Sequence, residues 1–256
     1  MVRGLAQFKT WFNDFSGSYV IIGGTACERQ FEERGLIFRA TKDIDLVLVI
    51  EALDTAFVKQ FWEFIKAGNY NQTQVEEKER KYYRFANPAH ENFPVLIELF
   101  SKRPDVIQET EGMHLTPIPA EEDLSSLSAI LMDNDYYQFT LVNTQQVDGL
   151  PVASAEALIA LKASAYINML QRKDGGEQID SKHIKKHKND VLRLAVILAA
   201  DSKVKCPDKI KADISQYIQL MKEEQPDVKA MFKEMGLDAV EAETLLTQLQ
   251  ATFLTD

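Results

Sequence analysis

A chain of 256 residues, 45% hydrophobic, is long enough to bury a core without disulfides or structural metal, and Cys27 and Cys206, its only cysteines, are too far apart to form a ligand set. The formal net charge of −10 argues against a surface given over to nucleic acid, whose binding is driven by neutralising phosphates. No stretch reaches the roughly 20 apolar residues of a membrane span and MVRGLAQFKTWF lacks a secretory core, so a soluble, cytoplasmic protein in a reducing compartment, with no membrane partner, is expected.

In chain order, residues 5–16 place Leu5, Phe8, Trp11, Phe12 and Phe15 at the spacing of an amphipathic helix. A strand over Tyr19 to Ile22 runs into Gly23-Gly24-Thr25, and a helix follows that stops near Gly35. Residues 44–50 (IDLVLVI) are short and β-branched, as a strand covered on both faces requires. A helix over 54–67, a strand near Tyr82 to Phe85 and another over 94–101 come next. Residues 127–132 and 136–142 flank Asp133-Asn134-Asp135 and read as a hairpin, and Asp148-Gly149 marks a second turn. After Pro151 the spacing becomes helical throughout, with candidate helices at 155–172, 184–200, 208–223, 226–235 and 238–253. The expected organisation is a mixed α/β core, 1–150, followed by a helical domain, 151–256.

Asp43 and Asp45 are two apart at the start of a strand, so alternation sends both to one face, where paired carboxylates suit a cation. A D-x-D pair alone is weak, since acids at strand ends are often solvated. Upstream, Gly23-Gly24 ends one strand and opens a helix; glycines admit phosphate to the backbone, helix N-termini favour anions, and Thr25 adds a hydroxyl. Glu98 lies among apolar neighbours in VLIEL, where a carboxylate needs a cation or a salt bridge, with Arg39 and Arg84 as the candidate partners. Between residues 172 and 193, seven Lys or Arg residues against four acids form a local basic segment. His183 and His187, four apart, could present a zinc-ligand pair, but no third ligand is assured.

Gly23-Gly24-Thr25-Ala26 followed by Arg39-Ala40-Thr41-Lys42-Asp43-Ile44-Asp45 resembles the polymerase-β-type nucleotidyltransferase signature, and its R-x-T-x-D-x-D form resembles the AbiEii/AbiGii toxin family. The resemblance implies a small mixed sheet carrying the site, closed on one side by a C-terminal helical bundle. It implies that Gly23, Gly24 and Thr25, with Arg39 and Thr41, hold a nucleoside triphosphate, and that Asp43, Asp45 and Glu98 bind Mg2+, or Mn2+ in its place. Lys162 in ALIALKASA resembles the lysine of the family's third motif and Asp190 in KHKNDVLRL the acid of its fourth; their plain readings are a snorkelling helix lysine and a solvated acid. Lys185, Lys186 and Lys188 are candidates to hold an acceptor's phosphates.

The function expected is transfer of a nucleoside monophosphate to an acceptor hydroxyl on tRNA, protein or a small molecule, as in the toxin half of a toxin–antitoxin or phage-defence pair with a cognate antitoxin. The alternative is a catalytically silent module of the same fold that binds a nucleotide or a partner. Retention of all three acids weighs against it.

Overall fold

The apolar spacing at the N-terminus folds as α1 (Leu5–Phe12), continued by a single 3-10 turn over Asn13–Phe15. The computed structural model describes residues 2–72, 83–100, 130 and 133–255, with the side chains of Asn71, Gln72 and Tyr83 left outside. Tyr82, Ser101 and most of the expected strand 127–132 therefore lie outside the described residues.

β1 (Tyr19–Ile22) leads through Gly23 into α2 (Gly23–Glu32), and β2 (Asp43–Leu48) follows. α3 (Thr55–Gly68) is started by the Asp54 side chain, which accepts from the Phe57 N–H, and ended by Asn69 in the left-handed region. β3 (Asn71–Gln72), β4 (Tyr83–Ala86) and β5 (Leu96–Phe100) complete this part of the sheet.

The expected hairpin around Asp133-Asn134-Asp135 is not formed. Asn134–Val142 is a helix, α4, and Asp133 is its N-cap, accepting a hydrogen bond from the Asp135 N–H at 2.9 Å. The aromatic and β-branched residues look strand-like, but Tyr136, Tyr137, Phe139 and Thr140 bury one side of a helix and leave Val142 outside. The hairpin lies one step later, between β6 (Thr144–Val147) and β7 (Leu150–Ala153). Asp148 and Gly149 take φ of 49° and 69°, the two left-handed residues of a type I′ turn.

The strands form one mixed sheet in the order β3-β4-β5-β2-β1-β7-β6. β1 runs antiparallel to β2 and parallel to β7, and β2 runs parallel to β5. On one face an aromatic layer joins α1 and α3 to the sheet: Phe8 and Phe12 pack on Tyr19, Phe12 meets Phe57, Phe61 and Phe64, and Phe61 and Trp62 reach Phe85. The opposite face is covered by α2, which also packs on α5 (Ala155–Asp174). α6 (Ser181–Val196), α7 (Asp208–Glu224), α8 (Lys229–Met235) and α9 (Ala242–Phe253) continue the chain. α5 packs on α6 and α7, and α9 on α6 and α7, so this part is a bundle built outward from α5.

The architecture is thus α+β with a mixed sheet and a helical C-terminal part. The expected division at 150/151 falls inside β7, whose Val152 pairs with Ile21 in the sheet. No helix among the described residues is long and apolar enough to cross a membrane.

Candidate active site

The register of three adjacent strands brings the acids together. Ile22 pairs with Asp45 and Asp45 with Glu98, while Asp43 pairs with Leu96. Because side chains alternate, Asp43, Asp45 and Glu98 share the sheet face that α2 covers, opposite the aromatic layer. Arg84 pairs with Glu98 from the other side, and its Nε lies 3.3 Å from Glu98 Oε1.

Gly23 closes this arrangement from β1. It has φ of 65°, and a Cβ built on it would stand 1.7 Å from Asp45 Oδ2, so only glycine lets the turn lie against that carboxylate. The Asp45 side chain thereby sits at the N-terminus of α2, where the helix dipole favours negative charge. A Cβ at Gly24 would lie 2.4 Å from Thr41 Oγ1, so Thr41 rests on the second glycine. Thr25 is fully buried, and its hydroxyl donates to the Asp43 carbonyl oxygen, tying the turn to the start of β2.

The Asp45 and Glu98 carboxyls meet side chain to side chain, a contact that favours the ionised form of Asp45 and the neutral form of Glu98. Burial pushes both carboxyls up from their ordinary values, and for Glu98 the Asp45 charge adds to it, while Arg84 opposes. Asp43 raises Asp45 further, whereas Lys186 and Lys162 favour its charged form. Among the described residues no group of three or more His, Cys, Asp or Glu side chains stands ready to hold a metal ion. Two carboxyl groups pressed together, with a third acid on the same face, are nonetheless hard oxygen donors of the kind that, once ionised, suits Mg2+ or Mn2+.

A second cluster adjoins the first. Asp190 on α6 is completely buried; its Oδ1 and Oδ2 accept from Arg39 Nε and Nη2 at 2.9 and 2.6 Å, and Oδ2 accepts from Lys162 Nζ at 2.9 Å. Arg193 Nη1 stands 3.7 Å from Oδ1, and its Nη2 donates to Glu234 of α8 at 2.8 Å. Burial favours the neutral acid at Asp190, but the Lys162 and Arg39 charges outweigh it and hold the carboxyl well below the ordinary range. Burial likewise works against the Lys162 ammonium, and the Asp190 charge overcomes it. Lys162 does not snorkel, and Asp190 is not solvated.

Of the residues singled out in the sequence, Gly23, Gly24, Thr25, Thr41, Asp43, Asp45 and Glu98 thus come together at one site. Arg39, Lys162 and Asp190 form the adjoining cluster, with Cys27 among their charges; burial pushes its thiol up to about 11, which leaves it inert at neutral pH. Lys185 is exposed, and Lys188 donates to Glu224 on α7. Lys186, grouped in the sequence with Lys185 and Lys188, is half-buried, one turn before Asp190 on α6, and its charge reaches Asp45; the i, i+4 spacing from Asp190 is the signal that could have separated it from its lysine neighbours. Phe85 belongs to the aromatic core. No family profile matches the chain, and a search among curated proteins finds no significant relative.

Proposed function

We propose that this protein is a divalent-metal-dependent nucleotidyltransferase, moving a nucleoside monophosphate from a nucleoside triphosphate to an acceptor hydroxyl. The observation that carries the reading is the packing of the Gly23 turn directly on Asp45, in a strand register that sets Glu98 beside the same carboxylate. A phosphate-admitting backbone turn and a set of hard oxygen ligands then share one place. The motif resemblance supplies the reaction class.

Asp43, Asp45 and Glu98 would hold Mg2+ or Mn2+; when bound, such a metal would polarise the phosphate oxygens and offset the charge of the departing pyrophosphate. Gly23 and Gly24 leave the backbone open to the triphosphate, and Thr41 closes one side of the turn. Lys186 adds positive charge near Asp45. In the transfer a bond forms between the acceptor oxygen and the α-phosphorus, the α–β anhydride bond breaks, and pyrophosphate leaves. Glu98, once ionised, takes the acceptor's proton. The acceptor is a hydroxyl of tRNA, protein or a small molecule. A role as toxin, with a cognate antitoxin, belongs to the same proposal and rests on the motif resemblance.

The test is incubation of the protein with each α-labelled nucleoside triphosphate, Mg2+ and a cell extract, beside Asp45→Asn. Label that enters RNA, protein or a small molecule with the wild type and not with the variant supports the reading. Absence of transfer together with equal triphosphate binding by both proteins would leave a silent binding module in its place.

A further inference from the structure

The connection between α2 and β2 carries Thr41 to the glycine turn and delivers Asp43 to the sheet, yet residues 36–42 form neither helix nor strand. Side chains hold it. Phe38 packs on Phe31 of α2 with ring centroids 5.0 Å apart, and the Arg39 guanidinium stands 5.2 Å from the Phe38 ring centroid. Arg39 then makes a planar, two-point bond to Asp190, 151 residues away on α6. At the far end of the segment Asp43 is tied by its carbonyl oxygen to Thr25. Between the two anchors lies Thr41, in contact with Gly24.

Asp190 cannot reach a metal or a nucleotide while so bound. Both of its oxygens are occupied by Arg39, one of them also by Lys162, and the side chain is shut off from solvent. Lys162 carries charge toward Asp45, but the partner that ties Asp190 mechanically to the segment before β2 is Arg39.

We propose that Asp190 and Arg39 act as a positioning clamp that docks α6 onto the segment 39–43 and so holds Thr41 and Asp43 in the geometry that receives the triphosphate. The functional consequence rests on the nucleotidyltransferase reading; the clamp itself does not. Asp190 is then a positioning residue, and Lys162 is the cation that keeps its carboxylate ionised in the interior. Lysine at position 39 would keep the charge but lose the fork, so Arg39→Lys should restore only part of the effect.

The experiment combines amide hydrogen exchange with binding of a non-hydrolysable nucleoside triphosphate. Arg39→Gln and Asp190→Asn are expected to speed exchange at the start of β2, residues 43–45, by about tenfold or more and to weaken triphosphate binding by a similar factor. The double variant should be no worse than the weaker binder of the two, because both changes release the same bond. Arg193→Met cuts a third contact to Asp190 and the pair with Glu234; it should lower the melting temperature while exchange at 43–45 stays as in the wild type. Wild-type exchange at 43–45 in Arg39→Gln, or additive losses in the double variant, would overturn the clamp. If Asp190→Asn does not fold, Arg39→Gln decides by itself. If the wild type binds no triphosphate, the nucleotidyltransferase reading falls, and exchange still decides the clamp.

Discussion

Replacing Gly23 by alanine separates a backbone effect from a site effect, because the protein contains a matched control. Gly23 and Gly35 have φ of 65° and 70°, so a side chain at either position pays the left-handed penalty of about 1–2 kcal/mol. At Gly35 nothing lies within 4 Å of the added Cβ, whereas at Gly23 it would stand 1.7 Å from Asp45 Oδ2 and 2.7 Å from Asp45 Cγ. The carboxylate must rotate away, which breaks its hydrogen bond with Glu98 at a further cost of about 1–3 kcal/mol. Urea unfolding should therefore show Gly35→Ala less stable than wild type by about 1–2 kcal/mol and Gly23→Ala by about 2–5 kcal/mol. Calorimetric titration with Mn2+ should show binding retained in Gly35→Ala and weakened at least about tenfold in Gly23→Ala, since a displaced ligand should cost no less than the loss of an outer-shell partner. Equal Mn2+ affinity in the two variants would refute the reasoning that the turn shapes the Asp45 position.

Other expectations follow from the same geometry. Glu98→Gln keeps a donor for Asp45 but removes an acid, so circular dichroism should show an unchanged fold while label transfer falls at least about a hundredfold, the loss typical of a general base. Asp190→Asn leaves the Lys162 ammonium buried without its counter-charge and should cost about 3–5 kcal/mol, while Lys162→Met leaves Arg39 on Asp190 and should cost less; urea midpoints rank the two. The Asp190 carboxyl is depressed in the folded state, so its contribution is present above the ordinary Asp value of about 3.9 and is lost as pH falls below it. Melting curves from pH 5 down to pH 2 should fall more steeply for wild type than for Asp190→Asn.

What the sequence disclosed and what it withheld divide along range of contact. β1, the glycine turn, α2 and β2 were legible because each is specified by neighbouring residues, and alternation alone put Asp43 and Asp45 on one face. The pairing of Glu98 with Arg84 was one of two open choices, and strand register decided it, with Arg39 drawn instead to Asp190. The Asp133 helix was missed because aromatic and β-branched residues suggest a strand, and the capping carboxylate that starts the helix also reads as a turn. The buried Lys162–Asp190–Arg39 cluster depends on contacts 28 and 151 residues apart in the chain. Its one local signal was Lys162 itself: with Leu158, Ile159, Leu161, Ala163 and Ala165 around it, no face of α5 is left on which a lysine could be solvated, so a buried counter-ion is required.

On the proposed function, the glycine turn and the acids of β2 and β5 bind a metal–nucleotide together. Calorimetric titration of Mn2+ in the presence of a non-hydrolysable nucleoside triphosphate, for wild type and Asp45→Asn, tests it most directly. Wild type should bind more tightly with the triphosphate than without it, and the variant at least about tenfold more weakly. Equal affinities in the two proteins, or no binding by either, would contradict it.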